Sequence, residues 1–313
     1  MEKNVREMIL NPAIETIAIV GCSKNSGKTS TLNALLDVLK EESLKGGVMS
    51  IGIDGEEADL WLGVPKPSIA LPRGFLVASA EKALKSGTLS SRIISRTNIR
   101  TALGELVVAR VEKEGTLLLA GVRHKKDIRL IQDIFKKYAV GKILIDGSYQ
   151  RAMAADPEVS DAVILATGAI LGRSVKEVAK KTAEVMRRFL FETIDNAADK
   201  RLVSQSSEEG NPVFRRKGGK EVVSFSKSSA QISEPEIKRA FIEGDIVVAV
   251  PGVLTDRFLK GCLAYKKGRV AILLTDPTRC VASGRLVDRF FENGGRISVL
   301  KNARLAAISV NPS

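Results

Sequence analysis

The sequence predicts an α/β protein: a doubly wound, mainly parallel sheet with a second, smaller α/β unit. Three observations point there. Apolar, strand-like runs alternate with amphipathic, helix-like stretches along most of the chain. The first of these runs, 16–21, breaks into a loop of small residues that enters an amphipathic stretch at 30–40, as in a strand–turn–helix unit. A polar segment rich in Ser, Gly and Lys then interrupts the alternation between about 195 and 233, after which it resumes. With 313 residues, 44% of them hydrophobic, the chain can fill one large α/β domain or two modest ones.

From the N-terminus, 16–21 reads as a buried strand, 30–40 as a helix and 48–54 as a strand ending in Asp54. An irregular stretch to about Pro72 leads to a helix-like segment at 74–85. Short strands follow at 92–96 and 104–111, with Glu112-Lys-Glu-Gly115 as a hairpin turn. Then come a strand at 116–122, a helix at 126–138, strands at 142–146 and 161–166, and a long helix at 175–193. This sets a first domain at 1–195. Residues 196–233 read as a polar linker or hairpin, with one strand at 221–225. The last unit, 234–313, opens on Ser233-Glu-Pro-Glu236, a capping box before a helix to about 243. It continues with a strand at 245–250, a helix at 255–264, a strand at 269–275, a helix at 284–293 and strands at 297–300 and 305–310. Whether it forms a separate lobe or extends the first sheet stays open. The chain stops at Asn311-Pro-Ser313 directly after a strand, which leaves room for a further C-terminal segment.

The loop after the first strand is the most informative feature. Cys22-Ser-Lys-Asn-Ser-Gly-Lys-Thr29 has the composition of a phosphate-binding loop between a strand and a helix. Successive backbone N–H groups and a helix N-terminus attract an anion, Lys28 can reach the outer phosphates of a nucleotide, and the Thr29 hydroxyl can ligate Mg²⁺. The common spacing wants glycine five places before Gly27; Cys22 stands there, with Gly21 one step earlier. Candidate nucleotide contacts are Cys22, Ser23, Lys24, Asn25, Ser26, Gly27, Lys28, Thr29 and Ser30, and the expected ligands are ATP and Mg²⁺.

Two aspartates suit such a site. Lys142-Ile-Leu-Ile-Asp146 is an apolar strand ending in an acid, the pattern that holds Mg²⁺ beside a phosphate loop, here Asp146. Asp54 ends the strand after the loop helix, where a carboxylate can bind the metal or position an attacking water. Lys28 and Asp54 are therefore the candidate catalytic residues, and Thr29, Asp54 and Asp146 the candidate metal ligands. An aspartate at a strand end also serves as a cap or turn former. Glu56, Glu57 and Asp59 read as solvated, and Trp61 as packing.

Composition excludes several alternatives. A single histidine, His124, in a charged turn, rules out histidine dyads and two-His metal sites and strains any Ser-His-Asp chemistry. Three distant cysteines, Cys22, Cys262 and Cys280, argue against a disulfide framework or a C-x-x-C metal site. The net charge of +13 comes from 49 Lys and Arg spread among 36 acids, and only 4% of residues are aromatic, so a solvated basic surface is expected rather than a nucleic-acid face. No apolar run approaches the roughly 18–20 residues needed to span a bilayer, and the charged N-terminus lacks a signal core, so no membrane association and a cytoplasmic location are expected.

The modified phosphate loop, the run Ile53-Asp-Gly-Glu-Glu-Ala-Asp-Leu-Trp-Leu-Gly63 and the run Ile145-Asp-Gly-Ser-Tyr-Gln-Arg151 together resemble one branch of the phosphate-loop proteins. It is the branch of dethiobiotin synthetase, the molybdopterin-guanine-dinucleotide adaptors and the partitioning and metal-insertion ATPases, and the resemblance covers about residues 14–172. Many members carry a lysine just after the first loop residue; Ser23 stands there, with Lys24 one step late, and a homodimer is left open. The whole-chain pattern resembles the smaller-subunit family of the lysine 5,6-aminomutase reactivases, found beside lysine-fermentation enzymes. That resemblance implies an ATPase acting as a chaperone-like reactivating factor, working with a larger ATPase subunit on an adenosylcobalamin- and pyridoxal-phosphate-dependent aminomutase. Two other classes stay open: an ATP-dependent small-molecule kinase or ligase, with Arg96, Arg100 or Lys24 as substrate clamps, and a non-hydrolysing nucleotide switch.

Overall fold

Thr16–Gly21 is buried at every position, so it can be accommodated only as an interior strand flanked on both sides. The computed structural model, which describes residues 2–51, 68–117, 119–147 and 152–312, bears this out. The chain is α/β, with large mixed sheets that are mostly parallel, and it divides into two compact units: 1–182 with 304–313, and 183–303. Among the described residues, no helix is long and apolar enough to cross a membrane.

In chain order the first unit contains α1 (Glu2–Leu10), β1 (Thr16–Gly21), α2 (Lys28–Glu41), β2 (Gly46–Ser50), β3 (Ile69–Leu71), β4 (Leu76–Ala80), α3 (Glu81–Lys85), β5 (Ser90–Thr101), β6 (Gly104–Lys113) and β7 (Gly115–Leu117). It continues with α4 (Lys125–Lys137), β8 (Lys142–Gly147), β9 (Ala162–Gly168), α5 (Val175–Met186) and, far along the chain, β16 (Leu305–Asn311). Its main sheet has the order β16-β9-β1-β8-β2-β4-β6-β5. Every pair from β16 through β4 is parallel, and β6 and β5 close the other edge antiparallel. β3 and β7 form a separate antiparallel ribbon.

The register of β1 is pinned at its start. Asp161 accepts the N–H groups of Glu15 and Thr16 at 2.9 and 2.8 Å. The buried Lys142 ammonium, at the first position of β8, donates to the carbonyls of Asn11 and Ile14, and burial pulls its pKa down. Leu32, Leu35, Leu36 and Leu39 recur at helical spacing on α2 and are buried in one cluster with Ile17 and Ile19 of β1. Burying each such side chain contributes about 1.5–3 kcal/mol, so α2 is held against the sheet by packing rather than by a side-chain cap.

The second unit, by itself, contains β10 (Glu192–Thr193), α6 (Ala197–Glu209), β11 (Val213–Arg216), β12 (Val222–Ser224), α7 (Glu234–Ala240), β13 (Ile246–Ala249), α8 (Asp256–Ala264), β14 (Val270–Leu274), α9 (Gly284–Glu292) and β15 (Arg296–Val299). Its sheet has the order β10-β15-β14-β13-β11-β12; β10, β15, β14 and β13 are parallel, β11 runs antiparallel to β13, and β12 antiparallel to β11. Alternation along β13 sorts the two faces. Val247 and Ala249 pack with Leu202 and Val203 of α6, while Ile246 and Val248 join the larger cluster of Ile237, Phe241, Phe258, Leu259 and Val287 from α7, α8 and α9.

Several expectations are corrected. The segment 74–85 is not one helix: β4 and the short α3 divide it, because all five residues of β4 are buried between β2 and β6 and ladder pairing on both sides overrides the helix propensity of Leu and Ala. No hairpin turn lies at 112–115. β5 and β6 form the hairpin, joined at Thr101 and Gly104, and β7 pairs with β3 instead. The helix expected at 175–193 stops at Met186 and gives way to a 3₁₀ turn, Arg187–Leu190, and β10. Residues 196–233 do include a hairpin, β11–β12, but begin with a capped helix rather than a linker: the Asn196 side chain accepts the Asp199 N–H at 2.8 Å and Gly210 takes the left-handed conformation at the other end. The units also divide elsewhere than at 195 and 234, since β16 pairs with β9 and 183–303 is an insertion that begins within the last turn of α5 and ends just before β16. The capping box at Ser233 is present, with Glu236 accepting the Ser233 N–H at 2.8 Å.

Candidate functional site

All six parallel strands of the first unit point their C-terminal ends to one edge of the sheet, the edge at which open α/β sheets form ligand crevices. The loop leaving β1 there begins with Cys22, whose N–H donates to the Ala166 carbonyl of β9 at 2.8 Å. Asn25 and Gly27 both have positive φ, 57° and 90°. Ser26 is fully buried and its hydroxyl donates to the Ser23 carbonyl at 3.0 Å, tying the loop to itself. Gly27 is the N-cap of α2, so Lys28 and Thr29 fall in the first turn, where the N–H groups have no acceptor within the helix.

Lys28 folds back across the loop. A methyl group built on Gly21 would lie 2.8 and 2.9 Å from Lys28 Cγ and Cδ and 2.4 Å from Ser26 Oγ, so the lysine stem occupies the space that the missing side chain leaves. A glycine at position 21, one step before the usual place, thus has a physical reason: the loop closes over it.

Asp146 lies one strand away. It is 4% exposed, near the end of β8, in register with Ile19 of β1 on one side and Ser50 of β2 on the other. Its carbonyl accepts the Ile51 N–H at 3.0 Å and the Ser50 hydroxyl at 3.3 Å. The structure therefore brings together, on neighbouring strand ends, the loop 22–30 and Asp146. Asp54 lies outside the described residues, as do Glu56, Glu57, Asp59, Trp61 and the run 148–151 that follows Asp146.

The donor set suits a phosphate bound with a hard cation: helix N-terminal N–H groups, one lysine, the Thr29 hydroxyl and the Asp146 carboxylate. A small divalent cation such as Mg²⁺ is held by one or two carboxylates together with substrate phosphates and water, not by an all-protein cage. Among the described residues, no group of three or more His, Cys, Asp or Glu side chains is placed to hold a metal ion.

Three features bear on the site, and the second agrees with the expectation that Cys22 is a small, shielded loop residue and not a nucleophile. First, β16 delivers two residues to the loop. Thr31 Oγ1 donates to the Gly27 carbonyl at 2.9 Å and lies 2.8 Å from Ser309 Oγ, and Asn311 stands so close to Gly27 that an added Cβ there would meet Asn311 Cβ at 2.7 Å. Second, the Cys22 thiol is enclosed with the hydroxyls of Thr167 and Thr182, which are 2.6 Å apart; burial, the dominant cause, pushes its pKa up to about 11 despite those hydrogen bonds. A thiol so shielded is protonated at neutral pH and is a poor nucleophile. Third, Arg96, a candidate substrate clamp, is already engaged, donating to Glu105 at 2.7 Å and to Glu81 at 3.2 Å. His124 is the N-cap residue of α4, and its carbonyl accepts the Asp127 N–H at 3.0 Å.

Compared with models of known protein families and with curated proteins, the chain matches none.

Proposed function

We propose that this protein binds ATP with Mg²⁺ at the loop between β1 and α2 and hydrolyses it, acting as a nucleotide-driven reactivating factor for an adenosylcobalamin-dependent aminomutase in company with a larger ATPase subunit. The observation that carries the nucleotide part is the combination at one sheet edge of the left-handed Gly27 at the head of α2, the Lys28 stem folded over Gly21, and Asp146 on the adjoining strand. The client and the partner rest on the sequence resemblance alone.

In this reading Lys28 neutralises the outer phosphates, the N–H groups of 24–29 cradle them, and Thr29 and Asp146 hold the metal. Asp54 orients the attacking water. The metal ion, when bound, supplies charge neutralisation on the phosphate oxygens. Calorimetric titration with Mg²⁺ and ATP tests the site directly. The parent binds, whereas Lys28→Ala, stripped of charge-assisted contacts worth roughly 1.5–3 kcal/mol each, binds at least about tenfold more weakly. Equal affinity in the two proteins refutes the assignment. Phosphate release measured with and without the aminomutase and the larger subunit tests the client: turnover rises only when they are present.

A further inference from the structure

Arg110 carries a charge to a place where the fold supplies no counter-charge. Alternation along β6 sends Val107, Ala109 and Val111 into the cluster shared with α2, and Leu106, Val108 and Arg110 to the other face of the sheet. There Leu106 and Val108 are fully buried and Arg110 is half-buried. Its guanidinium carbon lies 5.9 Å from the centroid of the Tyr138 ring at the end of α4, and its Nε is buried without an acceptor among the described residues. The cross-strand neighbours do not compensate it. Leu76 is apolar, and Arg92 is a second cation, itself paired with Glu112 at 3.2 Å. Charges withdrawn from water are as a rule paired, because their desolvation is otherwise uncompensated.

A cavity of about 390 Å³ opens beside this side chain, where β2 and β4 begin and α2 and α4 end. It is at the edge of the sheet away from the loop 22–30, and its volume suits a small molecule. Leu44, Tyr138 and Val140 line it, and each is only half-buried, so their apolar surface is open to an occupant. Among the described lining residues the one acid, Glu114, is taken by Lys40 at 3.2 Å.

Two features select the class of occupant. The half-buried side chain leaves the terminal amino groups of Arg110 as the part that meets a ligand, and that planar fork matches a carboxylate or a phosphate through two parallel hydrogen bonds. Both helix ends at the cavity are C-terminal, however, and carry partial negative charge, which opposes a dianionic phosphate more than a single carboxylate. We propose that the cavity binds a small carboxylic acid as its anion, the carboxylate on Arg110 and a short hydrocarbon body against Leu44, Tyr138 and Val140. The site is distinct from the nucleotide site and does not depend on it.

The test uses the full chain, with hexanoate and benzoate as carboxylate probes and hexanol and hexyl phosphate as comparisons, each titrated by saturation-transfer NMR. Both carboxylates are expected to bind and to raise the melting midpoint. Hexanol, which lacks the charge-assisted contact, should bind at least about tenfold more weakly than hexanoate. Arg110→Met, similar in length but uncharged, should lose about tenfold in carboxylate affinity. Arg110→Lys keeps the charge without the fork and should show a smaller loss in the same direction, so it carries the comparison if the methionine variant does not fold, as circular dichroism will tell. Lys28→Ala should bind both carboxylates like the parent. The proposal is overturned if neither carboxylate binds, if the Arg110 variants bind like the parent, or if hexanol matches hexanoate. Tighter binding of hexyl phosphate than of hexanoate overturns it as well, since the site would then be one for phosphate.

Discussion

Replacing Gly27 by alanine tests the loop geometry through stability, with no ligand needed. Two costs add. At φ 90° an alanine sits in the left-handed region, worth about 1–2 kcal/mol. Its Cβ would also lie 2.7 Å from Asn311 Cβ and 3.3 Å from Asn311 Cγ, against an optimal carbon–carbon separation of about 3.5–4.0 Å. Relieving that overlap requires β16 to shift, and overpacking of this kind costs typically about 1–3 kcal/mol. The sum is about 3 kcal/mol, or about 6–12 °C in the melting midpoint for a unit of this size. Gly74 supplies an internal control. Its φ is 89° and nothing lies within 4 Å of a built Cβ, so Gly74→Ala carries the backbone cost alone, about 1–2 kcal/mol. Differential scanning calorimetry of both variants, and of Gly27→Ala combined with Asn311→Gly, completes the comparison. The second substitution should recover the excess loss of Gly27→Ala over Gly74→Ala once its own effect is subtracted. Equal losses in the two glycine variants, or no recovery in the double variant, would refute the contact between β16 and the loop.

Two further outcomes are expected. Because burial raises the Cys22 pKa to about 11, the thiol favours folding fully below its unfolded value near 9 and that contribution is lost as pH rises from about 9 through 11; urea unfolding of Cys22→Ala should show a flatter decline over this window than the parent, and parallel curves would contradict the burial. Asp146→Asn should weaken Mg²⁺-dependent ATP binding while Asp54→Asn leaves binding intact and lowers turnover, as binding and phosphate-release assays on both proteins would register; normal turnover by Asp54→Asn moves the water-orienting role elsewhere.

Much of the framework is written in local pattern. β1, α2, β8, β13 and β14 are legible because fully buried parallel strands are continuous apolar runs and α2 repeats leucine at helical spacing. Gly27-Lys28-Thr29 was legible for the same reason, since the conformation of the loop depends on neighbours in sequence. Where pairing partners are distant, local pattern fails. Leu76-Val-Ala-Ser-Ala80 becomes a strand only because β2 and β6 lie on either side, and nothing in Leu305-Ala-Ala-Ile-Ser-Val-Asn311 says that it joins β9, more than a hundred residues earlier, and brings Ser309 and Asn311 to the loop. The polar helix α6 had its signals, Asn196 before it and Gly210 after it, but with Leu202 and Val203 as its buried apolar residues it shows little of the stripe by which a helix is usually noticed.

The insertion of 183–303, which begins in the last turn of α5 and ends just before β16, sets an order of events during synthesis. Strand β9 is made with its partner β1 already present, but its other edge waits for a strand encoded after the whole inserted unit. At translation rates of roughly 5–20 residues per second, the stretch from the end of β9 to the end of β16 leaves that edge bare for about 7–29 seconds. It carries Val163, Ile164 and Leu165, an apolar, β-prone segment of the kind that pairs readily with other chains. The nascent protein therefore depends on the inserted unit folding independently and promptly, and a fragment ended at residue 182 would carry the unpaired edge permanently.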